Sequence, residues 1–202
     1  MSTDTSHQPA RERMLQVAKQ LFAERGYENT STVAIARAAG SSESQLMKHF
    51  GSKEGLLEAV FDQGWSILTE RLGDLDSLRD GRQKIEQLVG AMLVALEADP
   101  VLKDLLLLEG RRIRKEGHMI LMTRGFLQIV GTLDRILNEM RTQGELGQGL
   151  NPQAVRSALI GSVEGMLRDQ VLAKRTGYPA AYSLEEVREI FRRALAAFLV
   201  PR

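Results

Sequence analysis

The chain has 202 residues, of which 43% are hydrophobic and 26% are charged, a balance typical of a folded globular protein. Its formal net charge is +1, so overall charge indicates no nucleic-acid partner and any basic surface must be local. It has no cysteine, which excludes disulfide bonds and thiolate chemistry. The start, MSTDTSHQPA, lacks the apolar core of a signal peptide, and apolar runs such as Leu105 to Leu108 are too short to span a bilayer. We therefore expect a cytoplasmic protein without a membrane partner, and a disordered polar tail over residues 1–10.

Apolar residues recur along the chain at the three- and four-residue spacing of amphipathic helices, and no segment alternates for long enough to predict a strand. Gly26 and Gly40 follow helical stretches and suit the left-handed position after a helix. Asp99–Pro100 and Asn151–Pro152 each place a capping side chain before a proline at the first helical position. These signals predict an all-α fold of about nine helices, short before residue 51 and longer after it.

Residues 31–50, STVAIARAAGSSESQLMKHF, predict two short helices joined by a tight turn. Ser31 and Ser42 can each cap a helix, and Gly40 allows the sharp reversal between them because glycine enters positive φ at little cost. Leu46 can pack against the first helix, while most of the second helix stays polar and outside. This is the plan of a helix-turn-helix, although an ordinary helical hairpin with a polar surface helix fits the pattern equally well.

The flanking residues make the pattern more specific. Residues 11–59 resemble the TetR family of bacterial transcription regulators in three motifs, LFAERGY, IARAAG and HFGSKEGLL. This segment covers about a quarter of the chain, and the remaining helices match the family only in length, number and class. The resemblance implies a three-helix DNA-binding domain over residues 11–51 and a larger helical domain for effector binding and dimerisation over residues 52–202.

The resemblance also implies which residues contact DNA. The second helix of the pair would lie in the major groove with side chains at base edges, while helix-start amides and nearby cations would hold phosphates. The DNA-binding residues predicted in this way are Ser31, Thr32, Val33, Ser42, Glu43, Ser44, Gln45, Met47, Lys48, His49 and Lys53.

Two of these positions depart from the family pattern. Met47 stands where tyrosine is frequent, and a thioether cannot donate a hydrogen bond to a phosphate. Glu43 stands where lysine is frequent; it can accept from cytosine N4, or it can act only as a favourable charge near a helix N-terminus. Residues 10–60 hold seven basic and six acidic residues, so we expect modest DNA affinity with a strong salt dependence.

Nothing in the remaining chain has the pattern of a catalytic site. The histidines His7, His49 and His118 are too scattered for a metal site or a catalytic triad, and no glycine-rich phosphate loop has a recognised spacing. We therefore expect neither enzyme activity nor a cofactor or metal.

Methionine and aromatic residues of the middle helices can line an adaptable pocket, or they can simply pack in the core. The family resemblance favours a cavity for a small, mostly hydrophobic effector. Its predicted residues are Trp65, Met92, His118, Met122, Phe126 and Glu164.

The last two long helices have the character of an interface. Gly161 and Gly165 allow another helix to approach closely, and the last helix has a broad apolar face, although both faces can also be filled within one subunit. The resemblance favours a two-fold dimer in which each chain gives two helices to a four-helix bundle. The predicted interface residues are Gly161, Gly165, Phe191, Leu195 and Phe198.

The function predicted from these features is a ligand-responsive transcriptional regulator, a repressor, that binds a near-palindromic operator as a homodimer. One alternative is a DNA-binding protein with a filled core and no allostery. Another is a helical small-molecule carrier or enzyme whose helical hairpin does not bind DNA.

Overall fold

The computed structural model of the chain describes residues 9–71, 75–112, 119 and 122–201, without the side chains of residues 67, 68, 70, 71 and 76. These residues form nine α-helices and a short 3-10 helix at Leu75–Ser77, and they contain no β-strand. The helices are α1 (Ala10–Arg25), α2 (Thr32–Ala38), α3 (Glu43–Phe50), α4 (Lys53–Arg71), α5 (Gly81–Ala98), α6 (Pro100–Glu109), α7 (Arg124–Thr142), α8 (Pro152–Thr176) and α9 (Leu184–Phe198). The predicted all-α class is confirmed, while the predicted tail lies mostly outside the described residues.

The chain divides into two compact units. The first unit takes residues 1–66 and 99–124, and the second takes residues 67–98 and 125–202. The first unit thus contains α1 to α3, most of α4, and α6 from the middle of the chain. The functional boundary at residue 52 stays a prediction. No helix within the described ranges is both long enough and apolar enough to cross a membrane.

In the first unit, α1 is the central helix. Its apolar stripe, which includes Met14 and Phe22, is fully buried. The ammonium of Lys19 on α1 lies 2.6 Å from the carboxylate of Asp99, and this carboxylate also caps α6 by accepting from the Leu102 amide at 3.0 Å. A single carboxylate therefore both starts α6 and ties it to α1.

In the second unit, α5, α7, α8 and α9 bury one apolar stripe each. A Cβ atom at Gly81, where α5 begins, would lie 2.5 Å from Met140 of α7, so the glycine permits the close approach of the two helices. Arg156 of α8 pairs with Asp134 of α7, with both side chains about three-quarters buried. The predicted proline starts are confirmed, since Asp99 and Asn151 cap α6 and α8 through their side-chain oxygens.

Candidate functional site

The helix-turn-helix forms from local capping contacts. The hydroxyl oxygens of Ser31 and Ser42 each accept from the backbone amide three residues later, at 3.2 Å, and so start α2 and α3. Between the helices, Gly40 adopts a φ of 63°, and the Ser41 amide donates to the Ala36 carbonyl at 2.9 Å. The predicted caps and the predicted glycine reversal are confirmed.

Small residues on α2 let α3 pack closely. Ile35, Ala36 and Ala39 are buried, and Leu46 of α3 is fully buried beside them. Phe50, at the end of α3, is only half-buried, and the guanidinium of Arg11 lies 5.4 Å from the centre of its ring. The start of α1 thus covers the end of α3, a contact between residues 39 positions apart that no local sequence pattern signals.

The outward face of α3 carries the predicted DNA-binding side chains. Each helical residue turns about 100°, so Ser44 and Lys48 lie roughly opposite the buried Leu46. Met47 and Gln45 flank them, one on each side. Every predicted residue from Ser42 to His49 is solvent-exposed, whereas the structural residue Leu46 is not. The arrangement leaves the whole polar side of α3 accessible to a groove.

Two of the expected base-reading side chains are bound within the protein. The hydroxyl of Thr32, the first residue of α2, donates to a carboxylate oxygen of Glu43, the first residue of α3, at 2.5 Å. The hydroxyl of Ser41 in the turn donates to the side-chain oxygen of Gln45. The Glu43 carboxylate therefore joins the starts of the two helices, a role that sequence reasoning missed because it depends on how α2 and α3 pack.

Lys53 is the first residue of α4, next to the Ser52 hydroxyl that accepts from the Gly55 amide at 2.9 Å. Its ammonium lies 4.2 Å from the centre of the Tyr27 ring and donates to the Glu28 carbonyl at 3.4 Å. Tyr27 is buried. Sequence reasoning gave Tyr27 no role, although it ends the quoted LFAERGY motif. The two residues connect α4 to the loop between α1 and α2.

The predicted effector residues are divided between the two units. Trp65 and Met122 belong to the first unit, where Trp65 is buried and Met122 is half-exposed. Met92, Phe126 and Glu164 belong to the second unit, and His118 lies outside the described residues. Met122 lines a hollow of about 520 Å³ in the first unit. The other residues that line the hollow are mostly charged or polar: Arg11, Gly55, Glu58, Ala59, Asp62, Gln63, Ser66, Thr123 and Arg124.

The predicted interface residues fall into two groups. Phe191 and Leu195 are buried within the protomer's own second unit, and Phe198 is half-buried. Gly161 is exposed and Gly165 is half-buried, and a Cβ atom at either glycine would meet no other described atom within 4 Å. The glycines therefore lie where another helix can approach α8, while the two apolar residues of α9 already have partners in the protomer.

Comparisons with known proteins agree with the geometry of the first unit. Residues 14–60 match the family model of the bacterial regulatory proteins of the tetR family. The fatty acid metabolism regulator protein of Bacillus subtilis is 26% identical over 156 residues, which cover 75% of this chain and 78% of that protein. The HTH-type transcriptional repressor KstR2 of Mycolicibacterium smegmatis is 35% identical over 100 residues, about half of each chain.

The fold is similar over nearly the whole length to that of the transcriptional regulator FadR from Bacillus subtilis, solved in complex with stearoyl-CoA. The TM-score is 0.76 at 21% identity, and the likeness covers 92% of this chain and 97% of the other. The exposed, capped second helix of the helix-turn-helix lies inside the matched segment, so residues 14–60 form a DNA-binding domain of the tetR family, and the rest of the chain shares the fold of the similar regulator.

Proposed function

We propose that this protein is a ligand-responsive repressor that binds a near-palindromic operator as a homodimer. The observation that carries the proposal is the exposed face of α3, which offers Ser44, Lys48 and their neighbours to a groove while Leu46 anchors the helix. Family membership disfavours the carrier and enzyme alternatives, because the matched family consists of regulatory proteins. An operator on chromosomal DNA would place the protein in the cytoplasm.

In the complex, α3 lies in the major groove and cations at its edges hold the phosphates. Lys48 and His49 occupy the last turn of α3, and Lys53 begins the next helix, so the three can follow one strand of the backbone. The Lys53 ammonium exchanges the Glu28 carbonyl for a phosphate oxygen while it stays near the Tyr27 ring. Phosphate contacts of this kind fix register, and base-edge contacts then supply specificity.

A selection of binding sites from random duplex DNA tests the operator geometry. The recovered sites should be two inverted half-sites, because a two-fold dimer presents two copies of α3. Inserting about five base pairs between the half-sites turns one of them by half a helical turn and should abolish tight binding in a mobility-shift assay. A single half-site bound as tightly as the full site would contradict the dimer.

We infer that the dimer interface lies on α8 and α9, at the exposed side that carries Gly161 and Gly165. Gly161→Glu should break the dimer, since the open space above the glycine is where the partner's helix would pack. Gly131→Glu on α7 is the matched control, because Gly131 is also an exposed helical glycine with open space above it. Light scattering should show monomers for the first variant and dimers for the second; dimers in both would move the interface elsewhere.

We propose that the effector is mostly hydrophobic with a polar end. A polar end would suit the charged hollow beside Met122, and the apolar part would contact apolar side chains of the same unit such as Trp65. Stearoyl-CoA is the first compound to test because the similar Bacillus subtilis structure contains it. Free coenzyme A and stearate are controls for its two parts, and choline is a control for a small cation.

An effector must stabilise the protein and weaken operator binding together. A ligand that prefers the non-binding conformation should raise the melting temperature and lower DNA affinity, with a coupling of about 1–3 kcal/mol. By linkage, operator DNA must lower the affinity of the protein for the ligand by the same factor. Met122→Ala should reduce ligand affinity and leave ligand-free DNA binding intact. A ligand that binds without changing DNA affinity would favour the DNA-binding protein without allostery.

A further inference from the structure

One flank of the helix-turn-helix exposes two apolar side chains. Val33 on α2 exposes 56% of its surface and Met47 on α3 exposes 41%. Thr32 precedes Val33 on α2, and Glu43 lies one helical turn before Met47 on α3. The hydrogen bond from Thr32 to Glu43 therefore holds the start of α2 against this part of α3. Met47 therefore lies on the side of α3 that faces the start of α2, where Val33 is the second residue of the helix.

This flank lies beside the polar face that the proposed function places in the major groove. Met47 sits between Leu46, which is buried, and Lys48, which is exposed and cationic. Single exposed apolar residues are common on proteins and need no explanation. Here two of them border the DNA-contacting face, and the polar neighbours Glu43 and Gln45 already bind Thr32 and Ser41.

We propose that Val33 and Met47 determine operator specificity by contacting the C5-methyl groups of thymines, an inference that rests on the proposed DNA-binding function. The thymine methyl is the apolar group that a base pair presents in the major groove, so an apolar side chain there separates thymine from cytosine without a hydrogen bond. Met47 replaces a hydrogen-bonding residue with a flexible thioether that adapts to a methyl surface. The departure of Met47 from the family pattern thus becomes a means of reading sequence.

Replacing thymine by deoxyuridine tests the proposal, because the change removes the methyl group and leaves the pairing edge intact. In the selected operator, each thymine of a half-site is replaced singly, and affinity is measured by fluorescence anisotropy. Burying one methyl group is worth about a fourfold change in affinity, so one or two positions should show a loss of that size with the unaltered protein.

Three variants assign the loss to side chains. Val33→Ser and Met47→Ser should each remove the deoxyuridine penalty at its own position and leave the other positions unchanged. Val94→Ser is the matched control, since Val94 exposes 50% of its surface on α5, in the second unit. All three positions are exposed, so the variants should fold, and melting curves verify that.

The outcomes separate the inference from the function on which it rests. A protein that binds its operator but tolerates every deoxyuridine replacement overturns the methyl contact and leaves the repressor proposal standing. A penalty that persists in Val33→Ser and Met47→Ser assigns the methyl contact to other residues and also overturns the inference. If no selected duplex is bound more tightly than unrelated DNA, the proposed function fails first.

Discussion

Helices α3 and α9 both expose charged side chains, but they use these charges differently. On α9, Glu185 and Glu189 pair with arginines one turn away: Arg188 lies 3.3 Å from Glu185, and Arg192 and Arg193 lie 3.0 Å and 2.8 Å from Glu189. On α3, the acidic Glu43 binds the hydroxyl of Thr32, and no ion pair of Lys48 occurs within the described part of the chain.

The difference shows that two polar helices can differ in how available their cations are for binding. The arginines of α9 pair with glutamates of the same helix, so their donors are already occupied and bind an anion weakly. The only acidic residue of α3 is bound at the start of the helix, so Lys48 and His49 at the other end keep their donors for an external partner. A helix whose cations lack local carboxylates suits a polyanion such as DNA, while on α9 the arginines are already paired with glutamates.

The largest effect should come from the buried side of α9. Phe191 exposes 3% of its surface within the protomer, so Phe191→Ala should reduce the free energy of unfolding by about 3–5 kcal/mol. Ile190→Ala, next to it on the exposed side, should change stability by about 0.5 kcal/mol or less in a monomer. Urea denaturation at several protein concentrations measures both variants. A loss for Phe191→Ala that vanishes at low protein concentration would instead make Phe191 part of an interface.

The next largest effect should distinguish the cations of the two helices. Lys48→Ala should weaken operator binding about tenfold and lower the slope of affinity against salt by about one, because it removes a phosphate contact. Arg193→Ala on α9 removes an equal charge that is already paired with Glu189. Mobility shifts at several salt concentrations should show almost no change for Arg193→Ala. Equal effects of the two variants would mean that net charge, not the position on α3, controls affinity.

A smaller effect should reveal the contact between the starts of α2 and α3. Thr32→Val and Glu43→Gln should each lower the free energy of unfolding slightly. The loss in the double variant should be smaller than the sum of the two single losses, with a difference of about 0.5–1 kcal/mol. The control cycle pairs Thr32→Val with Glu24→Gln on α1, and those two changes should add. Additive losses in both cycles would show that the hydrogen bond contributes nothing to stability.

The smallest effect concerns the stability of the protein at acidic pH. The pKa of Glu186 is lowered because its carboxylate accepts from the Ser183 amide and hydroxyl, and the pKa of Glu189 is lowered chiefly by the hydrogen bond from Arg193. A carboxylate with a lowered folded-state pKa stabilises the protein above the ordinary glutamate pKa of 4.5, and this stabilisation is lost as pH falls below that value. A variant with Glu186→Gln and Glu189→Gln should therefore lose less stability than the natural chain as pH falls from about 5 to 3. Circular dichroism during acid titration measures this, and parallel curves would contradict it.

Much of the fold follows from interactions within one helical turn, and these are readable in the sequence. The caps at Ser31, Ser42, Asp99 and Asn151 form as predicted, because each joins a side chain to an amide two or three residues later. The turn at Gly40 is equally local. These signals specify nine helices in the described chain and place a polar α3 after a short α2, which suffices to predict a helix-turn-helix.

Tertiary structure decided which partners the side chains find. The Lys19–Asp99 ion pair joins residues 80 positions apart, and the Thr32–Glu43 hydrogen bond depends on the packing of two separate helices. An apolar stripe in the sequence shows that a helix face must be covered but not by what, so Phe191 and Leu195 fitted a dimer interface as well as the protomer core that buries them. The physical reason is range: capping acts over a few bonds of one chain segment, whereas burial and ion pairing act through space between segments whose meeting is set only when the whole chain packs.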